Sequence, residues 1–180
     1  HLRPRHLSPG RETIVRQLSP GAVVGVQAVV SEKQVERVRL QAADIHGCFK
    51  NTVDYLEKNQ ISIKEVNFID TTAAGEQTSA SFIVSTKDIY GWERIKSVLL
   101  NDLKEKIVFD TNLAALSLIG EGLNRNNLTL LETLGLLGDN RITVLGMATT
   151  AFRISLLVSA DQIEKSVELC HTRWVDNSGG

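Results

Sequence analysis
The chain is poor in the residues that build specialised chemistry. Only two cysteines stand among 180 residues, Cys48 and Cys170, far apart and without metal-type spacing. That excludes a disulfide-built scaffold and a thiolate metal site, and points to reduced, half-buried thiols in a cytoplasmic protein. The four histidines, His1, His6, His46 and His171, form no cluster. Charge of neither sign is in excess: the net charge is −1, so no general attraction to nucleic acid is expected. No apolar run is long enough to span a bilayer, and the basic N-terminus lacks the apolar core of a secretory signal. Gly120-Glu121-Gly122 is too short a glycine signal for a phosphate cradle. With no nucleophile–base pair in view, these residues are expected to hold no catalytic group, no metal and no cofactor.

What is there supports a packed core. Hydrophobic residues make up 42% of the chain, and the length suits one domain or two small ones. Residues 1–21 carry two Ser-Pro-Gly triplets and read as a linker or domain edge. Ala22 to Val30 is valine-rich, hence a buried strand. Ser31-Glu32-Lys33 reads as a turn, and Val35 to Leu40 as the next strand, with Val38 and Leu40 on one face and Arg37 and Arg39 on the other. Asp44 and Gly47 supply loop chemistry before a helix from about Gly47 to Asn59, whose apolar stripe is Phe49, Val53 and Leu56. A carboxylate beside unpaired helix N–H groups has two readings. It caps the helix, or it takes the ammonium of a small zwitterion whose carboxylate the amides hold.

The pattern continues with a strand at Ile61–Phe68, a loop from Asp70 to Thr78, and a strand at Ser81–Ser85. A helix follows, capped by Thr86 or Asp88 and presenting Trp92, Ile95, Leu99 and Leu103, and then a short strand at Ile107–Phe109. This order matches a ferredoxin-like βαββαβ unit. A second copy follows: a strand at Leu113–Ile119, a loop at Gly120–Asn127, and a helix whose Leu130, Leu134 and Leu137 match Phe49, Val53 and Leu56. Ile142-Thr143-Val144 matches Ile61-Ser62-Ile63, and Phe152–Leu156 matches the strand of Phe82 and Val84. Ser159 with Gln162 reads as a capping box before a helix carrying Ile163, Val167, Cys170 and Trp174. The recurrence marks a tandem repeat. The second copy lacks its last strand, and 22–30 is the unassigned one. The fold expected is therefore α+β, two units with the first (35–110) inserted into the second (22–30 plus 113–176).

This combination resembles the C-terminal regulatory region of aspartate kinase, a pair of ACT domains. Asp44-Ile45-His46-Gly47 resembles that family's Asp-Lys-Pro-Gly effector loop. Leu116-Ser117-Leu118-Ile119-Gly120-Glu121-Gly122-Leu123 resembles its Val-Ser-Ile-Val-Gly-x-Gly-Met, and Phe152–Val158 its Ile-Lys-Ile-Ser-Val-Leu-Ile. Ser8-Pro9 with Glu12-Thr13-Ile14-Val15 is similar to the run that closes the kinase domain, so the resemblance implies a kinase domain upstream of His1, which would use ATP and Mg²⁺. It also implies an end-product amino acid, threonine or lysine, as effector, and homodimers formed through the ACT sheets.

By the same resemblance the effector site would use Asp44, His46, Gly47, Cys48 and Phe49, completed by Thr143 and Val144. A pseudo-symmetric second site would set Asn124, Arg125, Asn126 and Asn127 against Ser62 and Ile63. The chain departs from the family pattern at Phe68 and Ile69, where Gln-Asn is usual, and at Asn126-Asn127-Leu128, where His-Pro-Gly is usual. Two alternatives therefore stay open: a dimerisation module without effector binding, and a free-standing tandem ACT regulator.

Overall fold
The computed structural model describes residues 25–70 and 78–179. The linker 1–21, the first three residues of the expected strand 22–30 and the loop residues 71–77 lie outside that description. The elements are β1 (Gly25–Gln41), α1 (Ile45–Lys58), β2 (Lys64–Ile69), β3 (Ser79–Ser85), α2 (Trp92–Leu103), β4 (Ile107–Glu121), α3 (Leu128–Asp139), β5 (Gly146–Thr149), β6 (Arg153–Ser159) and α4 (Ile163–Trp174). The fold is α+β. One antiparallel sheet runs in the order β2-β3-β1-β4-β6-β5, and four helices accompany it. No helix among the described residues is long and apolar enough to cross a membrane.

Several expected boundaries are corrected. The strands expected at 22–30 and 35–40 are one strand, because Ser31 and Glu32 pair with Leu116 and Ala115 of β4 instead of turning. Their polar side chains find remote partners: Glu32 takes Lys64 and Ser85, and Lys33 takes Glu164. The strands expected at 107–109 and 113–119 likewise fuse into β4, with Asn112 at φ 56° absorbing the irregularity. The two sheets thus become one. The side-chain caps expected for α2 and α4 do not form: α2 starts after Gly91 at φ 74°, and α4 after Gln162. Gln162 instead donates to the Arg141 carbonyl. Ile61–Ile63 and Ile142–Val144 belong to no strand, and β2 and β5 begin only after them.

The two long strands carry the architecture. Gly25–Glu32 of β1 lies along Ala115–Glu121 of β4, while Val35–Leu40 lies along Ile107–Leu113. β3 pairs with the C-terminal part of β1, and β6 with the C-terminal part of β4. Register shifts fall between Glu32 and Val35 and between Val35 and Arg37. Such bulges bend the strand where one half gives way to the other.

Sequence recurrence is matched by recurrent bonding at the ends of α1 and α3. Asn59 and Asn140 cap them, and each Nδ2 donates to the carbonyl four residues earlier, Tyr55 or Leu136. Gln60 and Arg141 follow, both at φ 59°. Ile61 and Ile142 then donate their N–H groups to Leu56 and Leu137. Inside the helices, Thr52 and Thr133 hydroxyls donate to Cys48 and Thr129 carbonyls.

Alternation decides the faces of the sheet. Val38, Leu40, Phe82 and Val84 face α1 and α2 and pack with Ile45, Leu56, Trp92, Ile95 and Leu99. Leu116, Leu118, Ile154, Leu156 and Val158 face α3 and α4, with Leu137, Ile163 and Cys170. The intervening positions, Val35, Ile83, Leu113, Ala115 and Leu157, form a small third cluster on the helix-free face. Cys48 and Cys170 are both free thiols, and burial pushes the Cys170 thiol up to about 11.

Candidate functional site: the α1 entrance and the polar face of the sheet
Asp44 is the N-cap of α1. Its Oδ1 accepts from the Gly47 N–H at 2.9 Å, and its carbonyl accepts from Cys48 N–H at 3.1 Å. A Cβ on residue 47 would lie 2.3 Å from Asp44 Oδ2, so any side chain at 47 would displace the capping carboxylate. Asp44 stays exposed, beside a helix start that favours anions. Capping and ligand binding are thus compatible at this residue.

The walls of this entrance are aromatic. His46, exposed, sits edge-on to Phe68 at 6.5 Å between ring centroids; Phe49 meets Phe68 at 5.5 Å and Phe82 at 6.2 Å. Phe68 projects from edge strand β2 and is half-exposed. Cys48 lies behind the loop, its thiol raised in pKa mainly by burial.

Thr143 and Val144 sit on the other half of the chain. Thr143 is exposed and Val144 packs on the α3/α4 core, and no hydrogen bond among the described residues ties either one to the α1 entrance. The second set is also divided. Asn124, Arg125, Asn126 and Asn127 are exposed before α3, where Asn126 Oδ1 accepts from Leu128 N–H at 2.9 Å. Ser62 is exposed, and Ile63 packs on the α1/α2 core.

One charged cluster escaped the sequence reading. Asp110 of β4 accepts from Arg37 Nε at 2.8 Å and, through both oxygens, from Arg39 Nε and Nη2 at 2.8 Å each. Arg37 also donates Nη1 to the Leu145 carbonyl at 2.6 Å, bridging the two halves of the chain. The polar-face alternation of Arg37 and Arg39 was the available signal; the β1–β4 register that brings Asp110 opposite was not.

Burial pushes the Asp110 carboxyl up, but the two guanidinium groups outweigh it, and the group ends below the ordinary carboxylate range. A carboxyl depressed on folding stabilises above its unfolded value, and that contribution disappears as pH falls through the folded one. Asp110→Asn should therefore cost about 1–2 kcal/mol at pH 7, allowing for solvent at Arg39. Urea melts from pH 6 down to pH 2 should show the wild type losing stability more steeply than Asp110→Asn, the two converging at the acid end. Parallel pH profiles would contradict this role.

One antiparallel sheet and four helices, with a capped turn at a helix entrance, make an α+β fold. Comparison with known proteins narrows the likeness to aspartate kinases. No family model matches the chain. Aspartokinase 2 of Bacillus subtilis (strain 168) is 27% identical over 148 residues, covering 81% of this chain and 36% of that protein. The chain thus spans about a third of the length of this relative. The ligand-free regulatory subunit of Thermus thermophilus aspartate kinase superposes with TM-score 0.67 at 16% identity, covering 82% of this chain and 97% of that one. E. coli aspartokinase III in complex with lysine and aspartate superposes with TM-score 0.61 at 17% identity, over 84% of this chain and 34% of that one. The resemblance read from the sequence, to the C-terminal regulatory region of aspartate kinase, is the one these comparisons return.

Proposed function
We propose that the chain is the amino-acid-sensing regulatory module of an aspartate kinase, built of two interlocked ACT units. In this reading 35–110 forms the unit inserted into the second, and residues before 35 complete the second unit's sheet. Supporting it, each half of the sheet borrows a strand segment: β4 flanks Val35–Leu40, and Gly25–Glu32 flanks the C-terminal part of β4. An upstream kinase domain using ATP and Mg²⁺ to phosphorylate aspartate belongs to the same proposal, as does a cytoplasmic setting.

The observation that carries the sensing role is the Asp44–Gly47 turn, an exposed carboxylate fixed at the N-terminal turn of α1. The ligand ammonium would meet Asp44, and its carboxylate the positive helix end that the amides from Gly47 to Phe49 help to form. Thr143 and Val144 would complete the site. Because they lie on the other half of the chain, the partner subunit's copy of that segment is the natural donor. Exposed apolar residues on the two edge strands and the β5 lead-in, Val66, Phe68, Ile69, Leu145 and Met147, favour association through the sheets.

Binding to the folded state alone raises stability by about 2.7 kcal/mol at a hundredfold excess over Kd. Threonine or lysine should therefore raise the melting temperature by roughly 5–10 °C. Asp44→Ala should cost about 1 kcal/mol as a lost cap and abolish the ligand-induced rise. A screen in which no proteinogenic amino acid moves the melting curve would contradict the sensing role. Phe68 and Ile69 favour a second reading, a dimerisation module without effector binding. Sedimentation showing a dimer indifferent to every amino acid would select it.

A further inference from the structure
The helix-free face of the sheet carries a half-open cavity of about 390 Å³, within the size range of ligand pockets. Its lining comes from both ends of the strand order. Glu65 stands on β2 and Met147 on β5, the two opposite edges of the sheet. For both edges to line one cavity, the sheet must curl about this face, and the Arg37–Leu145 hydrogen bond is the strut that spans the curl. Gly146 makes room for it, since a Cβ there would meet Arg37 Nη1 at 2.9 Å.

The charges on this face are unevenly spent. Two guanidinium groups share the single carboxylate of Asp110, which leaves a surplus positive charge at Arg37 and Arg39. Glu65, on the same cavity, has no ion-pair or hydrogen-bond partner among the described residues. It is held at φ 53°, a left-handed conformation rare for a side-chain-bearing residue, at an irregularity in the β2–β3 ladder. Strained backbone of this kind concentrates at ligand clamps. Between the two charged ends the wall is apolar, with Ile83, Met147 and Leu157.

We propose that this cavity is a separate binding site for a small zwitterion with an apolar side chain. The Arg37 guanidinium receives its carboxylate, Glu65 its ammonium, and Ile83, Met147 and Leu157 its side chain. The ligand clasps the two halves of one chain from the face opposite the helices. The site shares no residue with the Asp44 turn and does not depend on the role assigned there.

Calorimetric titration of the chain with L-leucine, L-methionine and L-valine tests this, with leucinamide as a probe lacking the carboxylate. At least one of the three amino acids should bind saturably at one per chain, and leucinamide should bind at least tenfold more weakly than leucine. Glu65→Gln should weaken binding at least tenfold. Met147→Trp, which fills the cavity from an exposed edge strand, should abolish it and decides the matter if the Glu65 variant does not fold. Tyr90→Ala, at a fully exposed residue outside both sites, should bind as the wild type does. The proposal is overturned if none of the three binds, or if binding survives Met147→Trp.

Discussion
Gly120→Ala will destabilise the protein by about 2–3 kcal/mol, the upper part of the range for overpacked interiors, and lower its melting temperature by roughly 5–10 °C. A Cβ on residue 120 would stand 1.9 Å from the Gly25 carbonyl oxygen, 2.8 Å from its carbon and 3.0 Å from Val26 Cα. These are backbone atoms of a paired strand, and no rotamer change relieves them. Either the N-terminal end of β1 lifts off β4, or both strands shift. The matched control is Gly135→Ala in α3, where a Cβ meets nothing within 4 Å. There the helix should gain about 0.5–1 kcal/mol. Opposite signs for two Gly→Ala changes separate a steric contact from a general glycine effect. A Gly120→Ala protein that melts with the wild type would mean that 25–32 does not lie against 115–121.

The second large effect concerns the ion pair of Lys96 and Glu36, enclosed between α2 and the sheet. Lys96 Nζ lies 3.2 Å from Glu36 Oε1, both side chains nearly shut off from solvent at 11% and 12% exposure. Lys96 also stands 5.4 Å from the Phe109 ring centroid. Glu36 Oε2 and Trp92 Nε1 are buried without a partner among the described residues, so this pocket already carries unmet polar demand. Lys96→Met leaves the Glu36 carboxylate uncompensated and should cost about 3–5 kcal/mol, lowering the melting temperature by roughly 10 °C. Glu36→Leu together with Lys96→Met removes both charges and should recover most of the loss, since well-packed apolar replacements of buried pairs are often neutral. A neutral Lys96→Met, or a double variant as damaged as the single, would show that the pair does not act as a buried unit.

Periodicity revealed the α+β class and the repeat, because both are written in local spacing. Phe49, Val53 and Leu56 recur as Leu130, Leu134 and Leu137 at the same offset from paired Asn caps. Strand continuity was hidden for a physical reason. Ser31-Glu32-Lys33 has the composition of a turn, yet it stays within β1 because Lys64, Ser85 and Glu164 satisfy its polar groups from far along the chain. A local window does not contain those partners. The same holds for Asp110, whose meaning depends on standing opposite Arg37 and Arg39 across the β1–β4 ladder.

Around the candidate site the short-range features were legible and the long-range ones were not. Asp44 and Gly47 declared a capped turn through their own chemistry. Phe68, read as a lost amide, gains its significance from ring contacts with His46 and Phe49 that only the placement of edge strand β2 creates. The approach of β2 and β5 across the helix-free face follows from the curl of a whole sheet, which no stretch of sequence encodes by itself.

The sensing role turns on a single question, whether an amino acid occupies the α1 entrance and 143–144 together. Amide NMR spectra of the isotopically labelled chain, titrated with threonine and then with lysine, answer it directly. The account predicts that one of the two shifts the Gly47, Cys48 and Phe49 amides and the Thr143 and Val144 amides along the same saturation curve, and that Asp44→Ala removes both sets of shifts. Spectra unchanged at saturating concentrations of both amino acids, or shifts confined to residues away from these two segments, would contradict it.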